Sequence, residues 1–173
     1  TTGGRCLYDY DLDGRRIARS TSVSFLRPAL SENIASTVMH GFIRWLEGQS
    51  IAVEHASTVD LHANARLLDA YDCLVFGHHV EYWSRAMRDA VERFVRRGGN
   101  VVSLSGNTCY RQVRFEHTNR TLVCHKTAAT DTVSDARTSA VSRSRGPSFA
   151  RTSHARATTP TLVALALGTR TPS

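Results

Sequence analysis

Long apolar runs are missing from this chain of 173 residues. The longest, Leu162 to Leu167, lies between Pro160 and Gly168 and falls far short of the roughly 20 residues a membrane helix needs. No charged stretch followed by an apolar one stands behind Thr1, so no signal peptide is read, and the start Thr1-Thr2-Gly3-Gly4 looks like a cut from something longer. Cysteine is sparse as well. Cys6, Cys73, Cys109 and Cys124 form no C-x-x-C pair and no zinc-type Cys/His spacing. That argues against a disulfide scaffold and makes a reducing, cytoplasmic setting the default expectation. Neither a G-x-S-x-G elbow nor a phosphate-cradling glycine loop occurs.

What is present in excess is positive charge, +7 overall. Residues 1–126 carry 15 Arg and 1 Lys against 13 acids, while residues 127–173 carry 6 Arg against 2 Asp. More than half of the excess thus sits in a minor part of the chain. The pairs Arg15-Arg16 and Arg96-Arg97 are short and not interleaved with aromatics, so no phosphate-tracking stripe is read and no nucleic-acid partner is expected. The Arg-over-Lys imbalance reads as coding bias.

Composition also divides the chain. Residues 127–173 contain 7 Ser, 10 Thr, 9 Ala and 6 Arg, with Phe149 as their one aromatic. Such a segment buries too little apolar area to offset the ordering of its backbone, roughly 1–2 kcal/mol per residue. It is expected to be a mostly disordered tail. Residues 1–126 are expected to form the folded part.

Within that part, Ser31 is a good N-cap for a helix carrying Ile34, Val38, Phe42, Trp45 and Leu46 and stopped by Gly48. A short strand is expected from Ile51 to Val53, then a turn with a short helix over 60–68. Tyr71 to Phe76 is an apolar run of strand length that ends at Gly77. A second helix starts near Ser84, presents Met87, Val91, Phe94 and Val95, and closes on Arg96-Arg97 and Gly98-Gly99. Val101 to Leu104 is the next strand, and the stretch from Arg19 to Phe25 a further one. Strand, helix and strand alternate, and the strands are continuously apolar. This pattern predicts an α/β fold, a three-layer sandwich with a mainly parallel sheet covered on both faces.

In an open parallel sheet, ligands bind beyond the carboxyl ends of the strands. Two polar sequences occupy such ends: Gly77-His78-His79-Val80-Glu81-Tyr82-Trp83-Ser84 and Ser105-Gly106-Asn107-Thr108-Cys109-Tyr110. His79 can shuttle a proton or hydrogen-bond an attacked carbonyl, Glu81 can hold a metal or take a proton, and Asn107 can donate to a developing oxyanion. The alternatives are plain: Glu81 as a cap for the following helix, the two histidines as exposed loop residues, Tyr82 and Trp83 as packing. His40, His55, His62, His78 and His117 have no constellation around them.

These motifs come in a distinctive order. Gly3-Gly4-Arg5-Cys6-Leu7-Tyr8 is followed by Val23-Ser24-Phe25-Leu26-Arg27-Pro28, the His79-x-Glu81-Tyr82-Trp83-Ser84 run, Gly98-Gly99-Asn100 and Ser105-Gly106-Asn107-Thr108. Over roughly residues 1–126 the chain resembles the C-terminal region of the N,N-dimethylformamidase large (beta) subunit. The resemblance implies a class I glutamine amidotransferase-like, flavodoxin-like fold without the Cys triad, here incomplete at its N-terminus. It also implies a ferric ion, Fe3+, held by two tyrosines and a glutamate, which hydrolyses the C–N bond of a small formamide. The metal-ligating glutamate falls on Glu81, the catalytic histidine on His79 and the active-site asparagine on Asn107. The family's two tyrosines lie upstream of Thr1, and neither Tyr8 nor Tyr10 matches a ligand position. Val80 replaces the usual proline, and Ala29 an aromatic that often follows Arg-Pro. The expected partners are a small amide and either a second copy or a small companion subunit, with no membrane. The rival reading is a non-catalytic binding module or an inactive remnant.

Overall fold

The computed structural model describes residues 6–9, 14–26, 34–49, 52–126, 131 and 162–166. Nine strands are described: β1 Ser22–Ser24, β2 Val53–Ser57, β3 Cys73–His79, β4 Tyr82–Trp83, β5 Asn100–Gly106, β6 Arg111–Gln112, β7 Arg114–Glu116, β8 Thr121–Val123 and β9 Leu162–Ala166. Three α-helices accompany them, α1 Ile34–Glu47, α2 Thr58–Ala63 and α3 Arg85–Arg96, with a 3-10 turn at Leu67–Ala70. Ser31, the expected cap of α1, lies outside the described residues, as does Ile51.

The main sheet has the order β2-β9-β3-β5. β3 and β5 pair in parallel, from Cys73 opposite Asn100 to His79 opposite Gly106. β9 runs antiparallel to both β2 and β3. The sheet is therefore mixed rather than simply parallel. β9 comes from the Ser/Thr/Ala/Arg-rich segment, in which no strand was expected; the rest of that segment, Asp131 apart, lies outside the described residues. The stretch from Arg19 to Phe25 supplies β1 not to this sheet but to a small antiparallel one of order β1-β8-β7. The shift follows from position: β8 follows a tight turn after β7 and can pair with β1 without a long crossover.

β3 alternates between two surroundings, as a strand must. Leu74 and Phe76 are 0% and 1% exposed and enter the larger core with Leu61, Leu68, Val80, Trp83, Met87 and Phe94. On the other face, Gly77 meets α1 so closely that a Cβ there would overlap Met39 Cε. The glycine marks a close approach of strand and helix, and a side chain here would have to push aside the flexible end of Met39.

α3 has the ends its sequence announces. Ser84 Oγ accepts from Met87 N at 3.2 Å and caps the first turn. At the other end Gly98, with φ of 91°, donates to Val95 O, and Gly99 donates to Phe94 O, which closes the helix in a Schellman arrangement. Met87, Ala90 and Phe94 form its buried stripe, whereas Val95, expected on that stripe, faces solvent. Each of the large side chains in it contributes roughly 1.5–3 kcal/mol by leaving water. Among the described residues no helix is long and apolar enough to cross a membrane.

Candidate active site

The parallel register of β3 and β5 brings the two polar loops side by side. The loops are laced together by backbone: Cys109 N donates to Val80 O at 3.0 Å, Arg111 N to Glu81 O at 2.7 Å and Val113 N to Trp83 O at 2.9 Å. Ser105 Oγ accepts from Val80 N at 2.9 Å. Trp83 anchors the loop from beneath, its indole donating to Val80 O at 2.7 Å and its ring tilted against Phe76.

Glu81 stands at the meeting point. It does not cap α3, a task that Ser84 performs. Asn107 Nδ2 donates to its Oε2 at 3.2 Å, and the Tyr8 hydroxyl donates to its Oε1 at 2.8 Å. Tyr82 in turn donates its hydroxyl to Tyr8 Oη at 3.1 Å. Burial, more than anything else, holds both phenols above their ordinary pKa. They remain neutral donors, and they hold the carboxylate in one orientation.

Asn107 reaches Glu81 from a left-handed conformation, φ 52°, and Cys109 adopts φ of 57° two residues on. Asparagine tolerates this region, and such backbone clusters at functional sites. His79 lies exposed at the end of β3, against the backbone opposite it. A Cβ on Gly106 would sit 2.8 Å from its Cε1. His79, Glu81 and Asn107 therefore share one rim of the sheet.

Several neighbours carried no signal in the sequence. Tyr8 is separated from Glu81 by most of the folded part, and nothing in its spacing points there. Lys126 lies half-buried with Nζ 4.3 Å over the Tyr8 ring. Arg111 places its guanidinium over the Tyr110 ring and donates to Lys126 O at 3.3 Å. Cys109 and Cys124 are unpaired, and burial pushes both thiols up, away from a nucleophilic thiolate. Of the other histidines, His62 bonds Ser84 through Nδ1 at 2.7 Å and packs on Phe115, while His40, His55 and His117 are exposed.

A family model described as N,N-dimethylformamidase beta subunit-like, C-terminal, matches residues 1–159. The chain belongs to that family. No curated protein matches it. The match runs past Lys126, beyond the roughly 126 residues that carry the motifs, and into the Ser/Thr/Ala/Arg-rich segment. The dimethylformamidase resemblance implies ferric iron, for which Glu81 is a hard carboxylate oxygen of the suitable kind. Tyr8, Tyr82 and Asn107 stand around it as neutral hydrogen-bond donors and not as phenolate ligands. Among the described residues no group of three His, Cys, Asp or Glu side chains gathers in a way that could hold a metal ion.

Proposed function

We propose that the chain is part of a metal-dependent amidohydrolase that cleaves the C–N bond of a small amide. The observation that supports this most is the hydrogen bond between Glu81 and Asn107 at the carboxyl ends of β3 and β5. In this reading Glu81 holds the ferric ion, completed by tyrosines of the longer protein. When bound, the ion would act as a Lewis acid and make a bound water more acidic.

The chain's own residues supply the rest. Asn107 Nδ2 donates to the substrate carbonyl oxygen as negative charge develops on it, a role in which a fixed donor needs no reorganisation. His79, exposed beside Gly106, moves a proton at a ring nitrogen between the attacking water and the leaving amine. Tyr8 keeps Glu81 turned toward the rim. The β3–α3–β5 unit, with α1 on the opposite face, supports an amidotransferase-like sandwich as the complete architecture.

The test is Glu81→Ala in a form extended to include the upstream tyrosines. Wild type is expected to take up iron with a phenolate-to-metal absorption band and to hydrolyse small formamides, and the variant to lose both. Unchanged colour and turnover would remove Glu81 from the reaction.

A further inference from the structure

The two loops of the rim are unequal in length. The parallel ladder of β3 and β5 ends with His79 opposite Gly106, and the parallel pairing of β4 and β6 takes over with Tyr82 opposite Arg111. Between those points one side of the ladder has residues 80–81 and the other residues 107–110, two against four. The surplus has to leave the ladder, as it does at a β-bulge. It leaves in a turn where Asn107 and Cys109 are both left-handed, φ 52° and 57°, and Tyr110 N donates to Asn107 O at 3.1 Å. This turn carries the Asn107 amide back to Glu81.

The point at which the turn departs is therefore what aims the amide, and a serine marks it. Ser105 Oγ accepts from Val80 N at 2.9 Å, across the gap, and donates to Gly106 O at 3.1 Å, along its own strand. One hydroxyl thus serves as acceptor for one loop and donor for the other. Val80 is 1% exposed, so its N–H is withdrawn from water and depends on that acceptor. Thr108, by contrast, ties the turn back to β5 itself, through Ser103 Oγ at 3.1 Å and Ser105 O at 3.4 Å.

We propose that Ser105 is a positioning residue of the site: its hydroxyl fixes where the second loop leaves β5, and so aims one Asn107 Nδ2 hydrogen at Glu81 and the other at the substrate carbonyl. The inference rests on the amidohydrolase reading for the target of that second hydrogen, and not for the aiming itself.

Nuclear magnetic resonance on the full chain reads the aiming from the Asn107 side-chain amide, which Asn107→Asp identifies by its loss. In wild type one of its two protons is expected downfield and slow to exchange, held by Glu81. Ser105→Ala should abolish that shift and protection, and Ser105→Thr, which keeps the hydroxyl, should restore them. The indole proton of Trp83, bonded to Val80 O on the same loop, should stay protected in both variants. An Asn107 amide unchanged in Ser105→Ala, or left loose in Ser105→Thr, overturns the proposal. So does loss of the Trp83 proton together with it, because the serine would then only keep the loop folded. In the form extended by the upstream tyrosines, Ser105→Ala should lower kcat about tenfold or more while KM holds, as for a donor that acts in the transition state. If the amide loosens but turnover does not change, or wild type turns nothing over, the aiming stands and the amidohydrolase reading of it falls.

Discussion

β3 and β5 are hydrogen-bonded neighbours with almost the same kind of sequence, and they live in opposite surroundings. Leu74, Val75 and Phe76 are 0%, 5% and 1% exposed, whereas Val101, Val102 and Leu104 are 39%, 42% and 50% exposed. An apolar run thus marks a segment able to form a strand, and says little about whether both its faces will be covered. Burial is decided by what packs on the strand. β3 lies between β9 and β5, with α1 on one face and the larger core on the other, while β5 pairs only with β3 among the described residues. β5 also carries no charge and no proline, two of the usual sequence protections of a sheet edge.

The sharpest way to break the comparison is to cut both strands. Phe76→Ala should destabilise by about 3–5 kcal/mol, the range for truncating a fully buried aromatic. Val102→Thr, one register position away, should stay within about 0.5 kcal/mol, as exposed substitutions do. Urea denaturation of the two variants checks this. Equal losses would mean that β5 is covered in solution.

The next effect sits where α3 begins. Ser84→Ala removes the cap and the partner of His62 together, and should cost about 1–2 kcal/mol in the same assay.

The smallest effect is one of pH. Burial lowers the pKa of His62, so the folded protein prefers the neutral ring. The unfolded chain then binds more protons on acidification. Stability is full above the unfolded value of about 6.5 and is lost progressively as pH falls below it. Thermal unfolding between pH 7.5 and 5 should show this decline, and His62→Asn should flatten it.

Where the sequence was readable, local chemistry and sheet geometry coincided. Ser84 and Gly98-Gly99 bracket α3 because caps act within a few residues of the helix they end. Glu81 and Asn107 could be paired from spacing because parallel neighbours align their carboxyl ends. Tyr8 and Lys126 could not, since their approach depends on the small β1-β8-β7 sheet and its own core of Leu7, Val23, Val113, Leu122 and Cys124. β9 was missed for a similar reason: five apolar residues in a polar segment carry no sign of which strands they will join.

Trp83 gives the site an optical handle. The chain has two tryptophans, and they differ in setting: Trp83 is 6% exposed and hydrogen-bonded beneath the Glu81 loop, while Trp45 on α1 is 57% exposed. Their emission should therefore separate into a blue component from the rim and a red one from the helix surface, so that a quencher dissolved in the medium silences Trp45 first and leaves a signal that reports on the loop alone.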